Sequence, residues 1–178
     1  MVASERWLAM LRGEKTDRIP VIPVILGHCA KVMGKSDLGD FYTKPKFNIQ
    51  AQILTRELYK YDQPPFIADP GYFTECWGGK TLQPYNPKMG SPVPIQPAAK
   101  NAEELEKLEI PDPRRAPWTK EFREMISLAV AQKEMPWVQI MGGWISATAG
   151  MVIDLETFMM WLIEEPQLAK KALALTAE

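Results

Sequence analysis

Apolar positions along the chain fall into two patterns, helical stripes and short unbroken runs. Trp7, Leu8 and Leu11 recur at helical spacing within residues 4–12, and Gly13 follows where a C-cap glycine belongs. The run over 21–26, framed by Pro20 and Gly27, predicts a fully buried strand, although Pro23 cannot donate to a ladder. Pro45 suits the first turn of a helix over 45–59, with Phe47, Ile49, Ile53, Leu54 and Leu58 as its apolar stripe. Residues 65–68 predict a second strand running into the turn-forming Asp69-Pro70-Gly71.

Residues 72–100 show no helical period and are punctuated by glycines and prolines, which predicts a hairpin or an extended excursion. Asn101 is placed as an N-cap, and Glu104 stands at the capping-box position of a short helix. A proline-bounded linker (111–117) precedes a longer helix from 118 or 119 to 134, with Phe122, Met125, Ile126, Ala129 and Val130 on one face. Pro136 ends it, and 137–141 predict a third buried strand closed by Gly142-Gly143. Two further helices, 155–164 and 167–178, are split by Pro166. Strands alternating with helices predict an α/β architecture with a parallel sheet. The last helix runs to Glu178 without a capping residue, the pattern of a chain cut short.

Composition narrows the function classes. A formal net charge of −1 over 178 residues offers no field for nucleic acid or anionic lipid. No apolar run approaches the roughly 18 residues that span a bilayer, and the first residues enter an amphipathic pattern, not a signal-peptide core. Cys29 and Cys76 lie far apart with no C-x-x-C pair, which suits a reducing cytosol. The expectation is a soluble cytoplasmic protein. The 16 prolines, many between 84 and 117, favour extended connections, and the 10 methionines read as core fillers.

Four segments, taken in order, carry a resemblance. They are Glu5-Arg6 with Leu11-Arg12-Gly13-Glu14 and Asp17-Arg18-Ile19-Pro20-Val21; Tyr61-Asp62 leading into Ile67-Ala68-Asp69; Gly142-Gly143-Trp144; and Glu165-Pro166 before a leucine-rich helix. Together they resemble the uroporphyrinogen decarboxylase superfamily, closest to its cobalamin-dependent methyltransferase branch. The resemblance implies the N-terminal half of a (β/α)8 barrel, a fold of about 250 residues whose sites lie at the C-terminal ends of the strands. The whole of 1–178 reads as one partial barrel domain.

The resemblance also orders the candidate chemistry. Decarboxylases of the family carry two arginines, four apart, after the first strand's Pro-Val; the matching positions here are Ile25 and Cys29. An octa-acidic porphyrinogen needs guanidinium forks for its carboxylates. The family's tyrosine after the third strand is replaced near Gly150 or Met151, while its central aspartate is matched by Asp69, the candidate catalytic residue. In the methyltransferase branch zinc activates a thiol that receives a methyl group from methylcobalamin. Its His-x-Cys ligand pair and later cysteine are absent from these residues, so zinc is expected only in the other half of the barrel.

Each candidate carries a plainer alternative. His28, next to Cys29, is either a substrate or corrinoid contact or a locally satisfied loop residue. Cys29 is by default a small buried thiol. Glu75 and Trp77 line a pocket or belong to a structured loop, and Gly142, Gly143 and Trp144 either admit a ligand or make a turn. Ser146 and Thr148 lack a nucleophile motif, and Arg114-Arg115 reads as a solvated pair. The leading expectation is part of a corrinoid-dependent methyltransferase, with a corrinoid or corrinoid protein as partner. The alternatives are a non-catalytic half-barrel, completed by a second chain or self-associating, and porphyrinogen decarboxylation with Lys31 or Lys35 replacing the arginines.

Overall fold

In the computed structural model, which describes residues 1–68, 72–139 and 150–177, four helices precede the first strand. The order begins α1 (Ala3–Leu11), α2 (His28–Val32), α3 (Gly39–Thr43), α4 (Pro45–Tyr59), β1 (Phe66–Ala68), α5 (Tyr72–Cys76) and β2 (Lys80–Leu82). It continues β3 (Val93–Gln96), α6 (Ala102–Glu106), α7 (Thr119–Ala131), β4 (Trp137–Gln139), α8 (Leu155–Glu164) and α9 (Pro166–Ala177). The chain divides into two compact units. One takes residues 1–67, 83–91 and 120–139; the other takes 68–82, 92–119 and the described part of 140–178.

In the first unit β1 and β4 are hydrogen-bonded neighbours in a two-stranded sheet. Trp137 donates its N–H to the Pro65 carbonyl at 2.8 Å, and its ring packs on Phe66 (4.8 Å between centroids) and Trp7 (5.7 Å). Helices α4 and α7 close over this sheet through Ile49, Ile67, Met125 and Ala129. Arg56 of α4 holds Glu134 in a two-point pair, at 2.7 and 2.5 Å.

Two expectations are corrected here. Residues 21–26 carry no regular secondary structure, and Val21 and Val24 are exposed. Pro20 and Pro23 each remove a ladder donor, and the Ile25 N–H turns back onto the Pro23 carbonyl at 2.9 Å. The expected first strand of the core sheet is therefore absent, and β1 and β4 form that sheet among the described residues. The second correction concerns α4, whose boundaries match the prediction but whose buried face does not. Leu54 and Leu58 are exposed, while Asn48, Ile49, Ala51, Gln52 and Thr55 are buried. Of the expected stripe Ile49 is buried and Phe47 and Ile53 are half-buried, and the hydrogen-bonded amides of Asn48 and Gln52 complete the buried face.

The second unit is built on Trp77, Leu105, Val152, Phe158, Trp161 and Ala169. Its predicted hairpin is present: β2 and β3 pair antiparallel, with Lys80 opposite Gln96 and an irregularity before Thr81. Asn101 caps α6 by accepting the Glu104 N–H at 2.9 Å, and the Glu104 carboxylate accepts the Lys100 N–H at 2.7 Å. The five-residue helices α2, α3 and α5 had no periodic signal.

Candidate functional site

The residues that carry the motif resemblance converge on one charged cluster in the first unit. Asp62, 1% exposed, accepts from the Val21 N–H at 2.9 Å and pairs with Arg18 at 2.6 Å and with Arg6. Arg6 extends to Asp17 at 2.6 and 2.9 Å, and the Met1 ammonium joins Asp17 at 3.0 Å. Burial pushes the Asp62 carboxyl up, but the Val21 N–H and the two guanidinium groups outweigh it and hold the group low. The Asp62 N–H returns to the Val21 carbonyl at 2.8 Å. The cluster replaces the missing strand ladder as the anchor of the 17–21 segment.

Strands β1 and β4 lead directly into the remaining candidates. Asp69 follows Ala68, and Gly142, Gly143 and Trp144 follow β4 by three to five residues; all four lie outside the described residues. The sheet pairing makes the two strands that carry these segments neighbours.

His28 opens α2 and is exposed, its Nε2 3.2 Å from the Tyr59 hydroxyl and its ring stacked on that tyrosine at 5.9 Å. Cys29 next to it is fully buried, with Sγ directed at the Ile25 carbonyl at 3.6 Å. Burial pushes its thiol up, away from thiolate, and neighbouring hydrogen-bond donors offset only part of this. Ile25 packs on the same apolar cluster, which includes Leu38, Phe41 and Tyr42. The positions matched to the decarboxylase arginines are thus apolar wall. Of the nearby lysines, Lys35 pairs with Asp40 at 3.1 Å and lies over the Phe47 ring, and Lys31 bonds the Ser36 carbonyl.

In the second unit Glu75 is half-buried on α5 and Trp77 belongs to the hydrophobic core, its ring against Phe73. Gly78-Gly79 terminates α5. Gly78 adopts φ +92 and bonds Glu75, while Gly79 reaches back to the Thr74 carbonyl at 3.0 Å, a Schellman closure. A Cβ on Gly79 would stand 2.6 Å from the Gln96 carbonyl oxygen, so the hairpin requires glycine there.

This unit holds a cavity of about 430 Å³. Pro94, Ile95 and Pro97 form one wall, and Met151 and Leu155 the other. Gly150 and Met151, the positions near the family's lost tyrosine, therefore border open space. Its polar lining comes from Gln96, Lys100, Asp154 and Thr157. Asp154 sits at φ 90, ψ 137, outside the regions L-residues ordinarily occupy. It caps α8 by accepting the Thr157 and Glu156 N–H groups at 3.0 and 3.3 Å. The Thr157 hydroxyl bond and these N–H groups hold its carboxyl below the usual range against burial, with help from the Lys100 charge. Lys100 makes no ion pair among the described residues. Sequence reading missed both residues, although Asp154 ahead of Glu156-Thr157 is a recognisable N-cap pattern.

The family profile described as Uroporphyrinogen decarboxylase (URO-D) matches residues 3–178. The chain belongs to the uroporphyrinogen decarboxylase family. Among solved structures, a methyltransferase from Methanosarcina mazei is similar in fold, with a TM-score of 0.76 at 19% identity. The match covers 99% of this chain and 52% of that one, so this family member spans about half the length of that protein. At this identity the likeness concerns the fold. No curated protein matches the sequence. No described helix is long and apolar enough to cross a membrane.

Proposed function

We propose that this chain is part of a cytosolic corrinoid-linked methyltransferase of the uroporphyrinogen decarboxylase family, passing a methyl group between a corrinoid and a thiol or similar acceptor. The observation that carries the reading is the apolar packing of Ile25 and Cys29, where decarboxylases need two guanidinium groups. A porphyrinogen carboxylate placed there would meet buried hydrocarbon, and the adjacent Lys35 is already neutralised by Asp40. The fold likeness to a methyltransferase is consistent with this choice.

The zinc site of that branch does not fit the described residues. Among the described residues no group of three His, Cys, Asp or Glu side chains is positioned for a metal ion, and Cys29 is buried while His28 faces solvent. No step is assigned to zinc here. Methylcobalamin, when bound, supplies the methyl group. The residues of this chain supply the β1–β4 platform leading into Asp69 and Gly142, and a cavity of about 430 Å³ with mixed apolar and polar lining.

The test is a paired assay on the full-length protein: loss of methylcobalamin absorbance on adding thiol acceptors, and carbon dioxide release from uroporphyrinogen. Demethylation without decarboxylation is the expected result. Decarboxylation without methyl transfer would overturn the reading.

A second reading, a module completed by another chain or by self-association, is favoured by the apolar surface of α8. Leu155, Met159, Met160, Leu162 and Ile163 are all exposed there. Sedimentation across a hundredfold concentration range (about that span) decides it: a stable monomer excludes self-association.

A further inference from the structure

The cavity in the second unit has a chemistry of its own. At about 430 Å³ it lies in the lower part of the range for small-ligand pockets, about 300–1,000 Å³. It has room for one ring or a branched chain, and none for a tetrapyrrole macrocycle. Its walls are hydrocarbon, from Pro94, Ile95, Met151 and Leu155. Its two charges are not equivalent. The Asp154 carboxylate is already engaged by the first N–H groups of α8 and by Thr157. Lys100 lines the same space, its charge acting on Asp154 but in no ion pair among the described residues, so its ammonium has donors left for a ligand.

We propose that this cavity binds a small organic acid, its carboxylate on Lys100 and its hydrocarbon body between Pro94, Ile95 and Leu155. An amine is disfavoured, because it would face the Lys100 ammonium, while the Asp154 carboxylate already accepts the two α8 N–H groups and the Thr157 hydroxyl. The identification of this acid as the methyl donor or acceptor rests on the methyltransferase reading; the binding does not. Gly150 and Met151 also line the cavity.

Calorimetric titration of the full-length protein, without corrinoid, tests the site. The probes are benzoate and 4-methylpentanoate, against benzamide and benzylamine. Both carboxylates should bind, with benzamide about tenfold weaker than benzoate. Lys100→Met should erase that difference, Lys100→Arg should restore it, and Ile95→Trp should block all probes by filling the cavity from an exposed strand position. Absent carboxylate binding, preference for benzylamine, or an unchanged benzoate affinity in Lys100→Met would each overturn the proposal. Carboxylate binding without methyl transfer sinks the reaction and leaves the site. Methyl transfer with no carboxylate binding does the reverse.

Discussion

The side-chain amide of Gln52 makes to Phe66 the two hydrogen bonds a neighbouring strand would make. Its Oε1 accepts the Phe66 N–H at 2.7 Å and its Nε2 donates to the Phe66 carbonyl at 3.0 Å. A helix thereby satisfies one side of β1 two residues before its last described position, in line with the segment that enters Asp69. Asn48 completes the arrangement, accepting from Gln52 at 2.7 Å and donating to the Phe41 carbonyl at 2.8 Å.

Gln52→Leu is expected to destabilise the protein by about 2–4 kcal/mol, because it orphans a buried N–H and a buried carbonyl at once. Gln52→Glu keeps the acceptor and loses the donor, so its loss should be smaller at low pH, where a protonated carboxyl donates again. Urea unfolding of the two variants at neutral and acid pH checks both statements. Equal stability of Gln52→Leu and the parent would remove the strand-surrogate role.

The Arg6–Asp62–Arg18 cluster sets a direction for pH dependence. Asp62 and Asp17 are both held below the ordinary carboxyl value in the folded chain. A lowered folded pKa means the stabilisation is complete above the unfolded value of about 3.9 and is lost as pH falls through the folded one. Stability should therefore be flat near neutrality and decline below about pH 4. Asp62→Asn leaves Arg6 its pair with Asp17 but weakens the bonds of both Arg6 and Arg18 to position 62, and should cost about 1–3 kcal/mol at pH 7. Its acid decline should also be shallower than the parent's. Thermal melts from pH 2 to 8 read both, and an unaltered slope would show that Asp62 carries none of the acid response.

Helix ends supply a prediction of opposite sign. Lys133 closes α7 at φ 60, with its N–H on the Val130 carbonyl and the Glu134 N–H on Ala129. The same closure at α5 uses Gly78. Lys133→Gly removes the left-handed penalty of a side-chain-bearing residue and should stabilise by about 0.5–1 kcal/mol. Gly79→Ala should instead destabilise by about 1–3 kcal/mol, since its Cβ would press on the backbone oxygen of Gln96. Differential scanning calorimetry of the pair would show shifts in opposite directions.

Much of this fold is legible from local pattern. Pro45 opens α4, Asn101 caps α6, and the glycine- and proline-punctuated stretch holds the β2–β3 hairpin. What fails to read is whatever depends on a distant partner. The 21–26 run has strand composition, yet its proline positions and its anchor on Asp62 lie outside any periodicity count. Gln52 scores as a surface residue because Phe66 is invisible to a helical wheel. The candidate site divides the same way: Gly78-Gly79 and Asp154 have local signatures, whereas Lys100 reaches the cavity that Asp154 lines only through the Ala98 and Ala99 N–H bonds to the Val152 carbonyl. Trp77 shows the converse, a residue with a functional look that the core absorbs.

Asp154 combines a backbone cost with a capping gain, and two substitutions separate them. Its φ of 90 is a conformation only glycine adopts cheaply, a cost of about 1–3 kcal/mol for other residues. Its carboxylate recovers part of this by satisfying two N–H groups at the start of α8. Asp154→Ala keeps the strain and discards the cap, and should lose about 0.5–2 kcal/mol. Asp154→Gly discards both and should fall within a few tenths of the parent. Because Asp154 also lines the cavity beside Lys100, the glycine variant should bind benzoate at least as tightly as the parent while remaining folded. A glycine variant as unstable as the alanine one would mean that the cap, and not the backbone, dominates at this position.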